Sequence, residues 1–173
     1  MKFDEYRVLA QRTDATQNNR DKAANGAIGL YGEVNELLHA PNVENAENVK
    51  ETGDILWYLA AIASALHISL EEAYNSAAAL PLADVMMISL EWRATVIGEF
   101  IKKAVFQGHI VDAEALKYVT HNIGLVMRWL EGYARRNDFT LDDAMSLNIE
   151  KLRKRYPDGF EAERSMHRPE YGG

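Results

Sequence analysis

An all-α helical bundle is the fold class this sequence predicts. Three observations carry the prediction. Apolar residues recur at three- and four-residue spacing over long stretches, and no stretch alternates apolar and polar residues as a half-buried strand does. The only four prolines, at positions 41, 81, 157 and 169, fall between the periodic segments rather than inside them.

Taken in order, Ala24, Ala27, Ile28, Tyr31, Val34 and Leu38 share helical spacing within the segment Arg20 to His39, which Pro41 and Asn42 end. A second helix is expected from about Ala46 to Leu66. It is apolar nearly all round, as a central core helix is. Ser69, followed by Leu70-Glu71-Glu72, reads as an N-cap with first-turn acids, opening a short helix to about Leu80. After Pro81 the pattern predicts one long helix to about Gln107, then another from Asp112 to Arg136. A last helix opens at Thr140-Leu141-Asp142-Asp143 and should stop before the turn signal Pro157-Asp158-Gly159. The segment 161–173 reads as a polar, loosely held tail.

At 173 residues the chain suits one domain, 1–173, with a sizeable core. Hydrophobic residues at 47% and charged residues at 26% are ordinary for a soluble globular protein. A formal net charge of -7 argues against binding a nucleic-acid polymer, which requires a basic face. It leaves room for small phosphorylated ligands, which need only local cations and a metal ion. With no cysteine, there are no disulfides, thiolate metal sites or cysteine nucleophiles. The first residues, Met1-Lys2-Phe3-Asp4-Glu5, carry no apolar signal region, and the longest apolar run, Ile55 to Leu66, is too short to cross a bilayer. The expectation is a cytoplasmic protein with no membrane partner.

An internal repeat emerges when helix openers are compared. Ser69-Leu70-Glu71-Glu72-Ala73 aligns with Thr140-Leu141-Asp142-Asp143-Ala144 at an offset of 71. The same offset pairs Gly53 with Gly124, Ile55 with Val126, Tyr58 with Trp129, Leu59 with Leu130 and Ala63 with Ala134. Upstream, Gly32-Glu33 meets Gly98-Glu99 if the second copy carries a longer loop. Two amphipathic helices with similar caps also align by accident, so the repeat is an expectation: a half at 1–81 and a degenerate second half at 82–160.

Two acidic pairs stand out, Glu33-x-x-Glu36 and Glu51-x-x-Asp54. Residues three apart share a helical face, so each pair presents two carboxylates in one direction. A short connection around Pro41 predicts antiparallel packing of the two helices, bringing four carboxylates together inside the bundle. An all-oxygen ligand set suits a hard cation, Mg²⁺ or Mn²⁺, rather than zinc. Spacing alone is unspecific in a chain with 26 acidic residues, and most acidic pairs on helices are merely solvated. The setting adds weight. Asp54 shares a face with Trp57, Tyr58 and Ala61, and Glu51 with Ile55, Tyr58 and Ile62, where an unpaired carboxylate is costly. Trp57, Tyr58 and Tyr31 are candidates for stacking on a base, although aromatics at helical spacing are more often core. The histidines at 39, 67, 109, 121 and 167 show no ligand spacing, and no P-loop or dinucleotide-binding motif occurs.

The segments Leu30-Tyr31-Gly32-Glu33-Val34-Asn35-Glu36-Leu37 and Glu51-Thr52-Gly53-Asp54-Ile55-Leu56-Trp57-Tyr58-Leu59 resemble the two halves of the MazG-like nucleotide pyrophosphohydrolase signature. Asn148-Ile149-Glu150-Lys151-Leu152-Arg153-Lys154-Arg155-Tyr156-Pro157-Asp158-Gly159-Phe160 is similar to a segment that often follows the catalytic helices there, and Phe3-Asp4-Glu5-Tyr6 and Arg12-Thr13 also fit. The resemblance covers both ends and the first half and is faint between about Leu82 and Phe139. It implies an all-α fold and Mg²⁺-dependent hydrolysis of a (deoxy)nucleoside triphosphate to monophosphate and pyrophosphate, in nucleotide-pool housekeeping. Glu33, Glu36, Glu51 and Asp54 would be the catalytic metal ligands, one glutamate also orienting or deprotonating the attacking water. Asn148, Lys151 and Arg155 would be candidates for binding the substrate phosphates, the alternative being a solvated basic helix end. Relatives of this fold often associate, so a homo-oligomer is compatible with it.

The second half departs from this pattern. Glu99 is followed three residues later by Lys102, and the offset turns Glu51 into Asn122 and Asp54 into Leu125, so no second metal site of this kind is expected. Members of the family commonly build sites where two subunits meet, which implies that one chain here imitates a dimer with a single site. The rival readings are a different diphosphate-ester substrate, a catalytically silent helical protein that binds a nucleotide or a protein, and a structural bundle whose acids are solvated.

Overall fold

The computed structural model describes residues 1–39 and 45–163. It is all-helical, with eight α-helices and no strand among the described residues. The first, α1 (Phe3–Ala10), was not anticipated. Its eight residues are too few for a periodicity argument, yet Tyr6 and Ala10, one turn apart, are both fully buried. A short 3₁₀ turn, Gln11–Thr13, leads out of it. Next come α2 (Asn19–His39) and α3 (Asn45–Ala65), close to the expected bounds. The Pro41 break between them lies outside the described residues, as does the tail beyond residue 163.

Helix α4 (Leu70–Ser76) begins as expected, with Ser69 Oγ accepting from the Glu72 amide at 3.1 Å, but it stops four residues earlier than Leu80. The single long helix expected after Pro81 is two helices, α5 (Leu82–Met86) and α6 (Leu90–Phe106). The break has a local and a tertiary cause. Ser89 restarts the backbone by accepting from the Trp92 amide at 3.1 Å. The turn before it lets Val85 and Ile88 join Ala77, Leu125 and Trp129 in a small apolar cluster. Helix α7 (Ala113–Arg136) is capped by Asp112, and α8 (Leu141–Arg155) by a Thr140–Asp143 capping box.

Helix α3 is the centre of the bundle: Ile55, Leu56, Leu59, Ala60, Ile62 and Ala63 show no exposed surface. Helix α2 packs along it antiparallel, since Gly26 lies against Ile62 while Glu33, farther along α2, approaches Glu51 and Asp54. Helix α1 lies across α3 and reaches the starts of α4 and α8. Asp4 accepts from Ser69 Oγ (2.5 Å) and the Leu70 amide (3.0 Å), and the Met1 ammonium pairs with Asp142. Helix α8 packs on α3, and α4 packs on α7. Two glycines permit these close approaches. A Cβ on Gly53 would stand 2.9 Å from the Ala144 carbonyl oxygen of α8, and one on Gly124 would stand 2.0 Å from the Ala73 carbonyl oxygen of α4. Gly53 and Gly124, and likewise Ala73 and Ala144, are pairs related by the offset of 71, so the approach of α8 to α3 and that of α4 to α7 use equivalent positions of that alignment. No single helix among the described residues is long and apolar enough to cross a membrane.

Candidate metal and phosphate site

Antiparallel packing of α2 and α3 brings the two acidic pairs to one place, with α8 lying alongside. Among the described residues, carboxylate oxygens of Glu33, Glu36 and Glu51 lie within 4.8 Å of one another, close enough to share one cation. Glu36 is exposed, Glu33 is half-buried, and Glu51 keeps 4% of its surface. Glu51 Oε1 accepts from Lys50 Nζ at 3.0 Å, and Lys50 also pairs with Glu47 at 2.5 Å. Glu51 Oε2 is buried with no hydrogen-bond donor.

The fourth acid, Asp54, stands apart from this trio. Its Oδ1 accepts from Asn148 Nδ2 at 2.9 Å and is ion-paired with Lys151. Asn148 is buried, and its Oδ1 accepts from the Tyr6 hydroxyl at 2.9 Å. Lys151 and Arg155 line the same cavity as the four acids. Of the seven residues singled out in the sequence, Glu33, Glu36, Glu51, Asp54, Lys151 and Arg155 line one cavity and Asn148 meets it through Asp54, whereas the exchange of partners at Asp54, which joins positions 54, 148 and 151, has no signal in the sequence. Tyr6, noted in the sequence only as part of the resemblance, and Lys50, which looks like any solvated lysine, had no role assigned there.

The cavity is about 530 Å³, the size of a small-ligand site. Beyond the charged groups it is lined by Thr13, Trp57, Tyr58, Tyr156 and Phe160. Trp57 is oriented by its indole N–H, which donates to the Ala10 carbonyl at 3.1 Å. Tyr31, grouped with Trp57 and Tyr58 by spacing, is instead 56% exposed and belongs to a separate apolar groove between α2 and α6. The turn at 157–159 brings Phe160 to Tyr156, their ring centres 5.3 Å apart. Gly159 there has φ +107°, a conformation that favours glycine.

Burial pushes the Glu33 carboxyl up to about 8, reinforced by the negative charge of Asp54 and by Glu51 and Glu36. Burial also raises Glu51, against the opposing ammonium of Lys50. Crowded carboxylates sharing a desolvated space are what a divalent cation stabilises. The orphaned Glu51 oxygen and the all-oxygen donor set fit Mg²⁺ or Mn²⁺.

A linkage result follows for the metal-free protein. Glu33 and Glu51 have folded-state pKa values above their unfolded ones, so the folded chain holds more protons and stability falls as pH rises from about 4.5 towards 8. The depressed carboxylates Asp4 and Asp14 lose their contribution only below about pH 4, outside this window. Allowing for solvent screening, the loss is about 2 kcal/mol, or roughly 4–8 °C in Tm. Melting in EDTA at pH 5.5 and 8.0 should show this fall, and melting in Mg²⁺ should remove most of it. A metal-free Tm that rises over that interval contradicts the assignment.

Residues 82–160, all described, hold no comparable carboxylate group. Glu99 is paired with Lys102 at 2.5 Å on an exposed face. Asn122 is buried, accepting from Arg93 Nη1 at 2.9 Å and donating to the Tyr118 carbonyl at 2.9 Å, and Leu125 packs in the small apolar cluster.

No family model matches the chain, and neither a curated protein nor a solved structure was found similar to it. What fold and site define together is an all-helical bundle with a carboxylate cluster and cationic side chains in one cavity.

Proposed function

We propose that this protein is a Mg²⁺-dependent hydrolase that cuts a nucleoside triphosphate into monophosphate and pyrophosphate. The observation that carries the reading is the convergence, in one cavity, of three carboxylates including an orphaned oxygen of Glu51 with the side chains of Lys151 and Arg155. Neither feature alone calls for a phosphate. Together they match a ligand that is anionic and bound through a divalent cation.

Glu33, Glu36 and Glu51 would hold the cation, with Asp54 the candidate fourth ligand. When bound, the cation supplies charge neutralisation at phosphate oxygens and a more acidic bound water. Glu33, whose carboxyl burial and its acidic neighbours hold near 8 in the metal-free protein, would give up its proton on binding the cation. Lys151 and Arg155 would bind and orient the phosphate chain. Trp57 and Phe160, which also line the cavity, would shield it from water. Burial of Glu51 supports this reading over a merely solvated acidic face. The MazG-like resemblance points the same way, and the reciprocal Gly53–Ala144 and Gly124–Ala73 approaches support a duplicated origin for the two halves.

Product analysis tests the proposal. A nucleotide panel incubated with Mg²⁺ is resolved for monophosphate, diphosphate, phosphate and pyrophosphate. The expected result is monophosphate and pyrophosphate from at least one nucleotide. No turnover by a folded protein that binds both Mg²⁺ and nucleotide would instead favour a silent binding protein.

A further inference from the structure

We propose that Lys151 gates the cation site by occupying Asp54, so that Asp54 becomes the fourth ligand only when a phosphate group draws Lys151 away. This inference rests on the cation site assigned above. Asp54 lies three residues after Glu51 on α3 and so presents its carboxylate in nearly the same direction. Yet the oxygens that share one small space belong to Glu33, Glu36 and Glu51, while Asp54 is turned to α8.

The atoms holding Asp54 differ in how firmly they are fixed. Asn148 is buried and its amide oxygen is taken by the Tyr6 hydroxyl, so its N–H₂ must face Asp54. Tyr6 is itself fully buried and also lies 3.2 Å from the Gly53 carbonyl oxygen. Tyr6 and Asn148 are therefore positioning residues, holding Asp54 Oδ1 from behind. Lys151 is the adjustable partner: its side chain keeps 16% of its surface, extends on a flexible stem and lines the cavity. When the Lys151 ammonium moves to a phosphate oxygen, Asn148 still holds Oδ1, and Oδ2 is the oxygen left to meet a cation.

The consequence is cooperative binding. A cation alone meets three carboxylates, whereas a cation arriving with a polyphosphate meets four, and by linkage each ligand tightens the other. Free cation is then held weakly, and the complete site assembles only around substrate.

The test is a mutant cycle read by Mn²⁺ binding in phosphate-free buffer, with water-proton relaxation reporting the waters left on the bound ion. In the wild-type background, Asp54→Asn should weaken Mn²⁺ by less than about threefold, because Lys151 already occupies that carboxylate. In the Lys151→Met background, the same change should cost about tenfold or more. Lys151→Met alone should bind Mn²⁺ more tightly and with fewer coordinated waters than wild type, which neutralising a distant charge would not produce. Lys151→Arg, which keeps the charge, should behave as wild type. An equal Asp54→Asn penalty in both backgrounds, or an unchanged water count in Lys151→Met, overturns the gate and leaves the cation site standing. Failure of both wild type and Lys151→Met to bind Mn²⁺ overturns the cation site and the gate together.

Discussion

Glu51→Gln should abolish turnover and the thermal stabilisation by Mg²⁺ together, while leaving the metal-free protein at least as stable as wild type. The two directions come from one fact. Glu51 is buried, its Oε1 accepts from Lys50, no ammonium or amide donates to its Oε2, and the Glu33 and Glu47 carboxyls crowd it. Its charge is a cost to the folded metal-free chain, and burial holds its pKa up accordingly. A glutamine of the same shape removes that charge, so the metal-free Tm in EDTA at pH 8 should stay level or rise. The same change removes a central member of the trio. Replacing groups that merely support a metal ligand costs about 10–100-fold, so losing a direct ligand should lower activity by at least roughly a hundredfold. A structural glutamate would behave oppositely: its loss would lower the metal-free Tm and leave the response to Mg²⁺ intact. Measuring Tm with and without Mg²⁺, beside activity, separates the two.

Gly124→Ala should be the most damaging single-methyl change to stability, by about 3 kcal/mol or more, lowering Tm by roughly 6–12 °C. The new Cβ would stand 2.0 Å from the Ala73 carbonyl oxygen and 2.8 Å from its carbon, and these are backbone atoms that cannot rotate aside. To relieve the clash, α4 must lift from α7, opening a core that includes Leu70, Ala73, Ile123 and Met127. Gly98→Ala is the matched control. It lies in α6 with nothing within 4 Å of the added Cβ, so the better helix propensity of alanine should leave Tm unchanged or raise it by about 0.5–1 kcal/mol of stability. Gly53→Ala falls between, since its Cβ meets the Ala144 carbonyl oxygen at 2.9 Å and Asn148 Cβ at 3.0 Å. Thermal unfolding of the three variants checks the order. A Gly124→Ala protein as stable as Gly98→Ala would contradict the packing of α4 on α7.

Features written in local chemistry were legible in the sequence. Ser69, Asp112 and Thr140 each cap the helix they were expected to open, because a cap is a contact between residues two or three apart. The all-round apolar character of α3 marked it as the central helix, and the one-turn spacing of Glu33–Glu36 and Glu51–Asp54 placed four carboxylates beside one cavity. Features depending on what lies across the molecule were not legible. Nothing near Ser89 distinguishes a serine that starts a helix from one inside it; the break forms because Val85 and Ile88 find Ala77 and Leu125. The division of labour among the acids is hidden for the same reason. Equal in the sequence, Glu51 and Asp54 differ because α8 offers Asn148 and Lys151 to one and nothing to the buried Oε2 of the other.

The proposed function requires the carboxylate trio to hold the cation at which a nucleotide is cut. The most direct measurement is a crystal grown with Mn²⁺ and a triphosphate whose α–β bridge cannot be hydrolysed, with data collected for the anomalous signal of manganese. The expected result is an anomalous peak within coordination distance, about 2.0–2.3 Å, of oxygens from Glu33, Glu36 and Glu51, with the phosphates reaching Lys151 and Arg155. A nucleotide bound in the cavity with no manganese at the trio, or manganese bound only elsewhere on the surface, would contradict it.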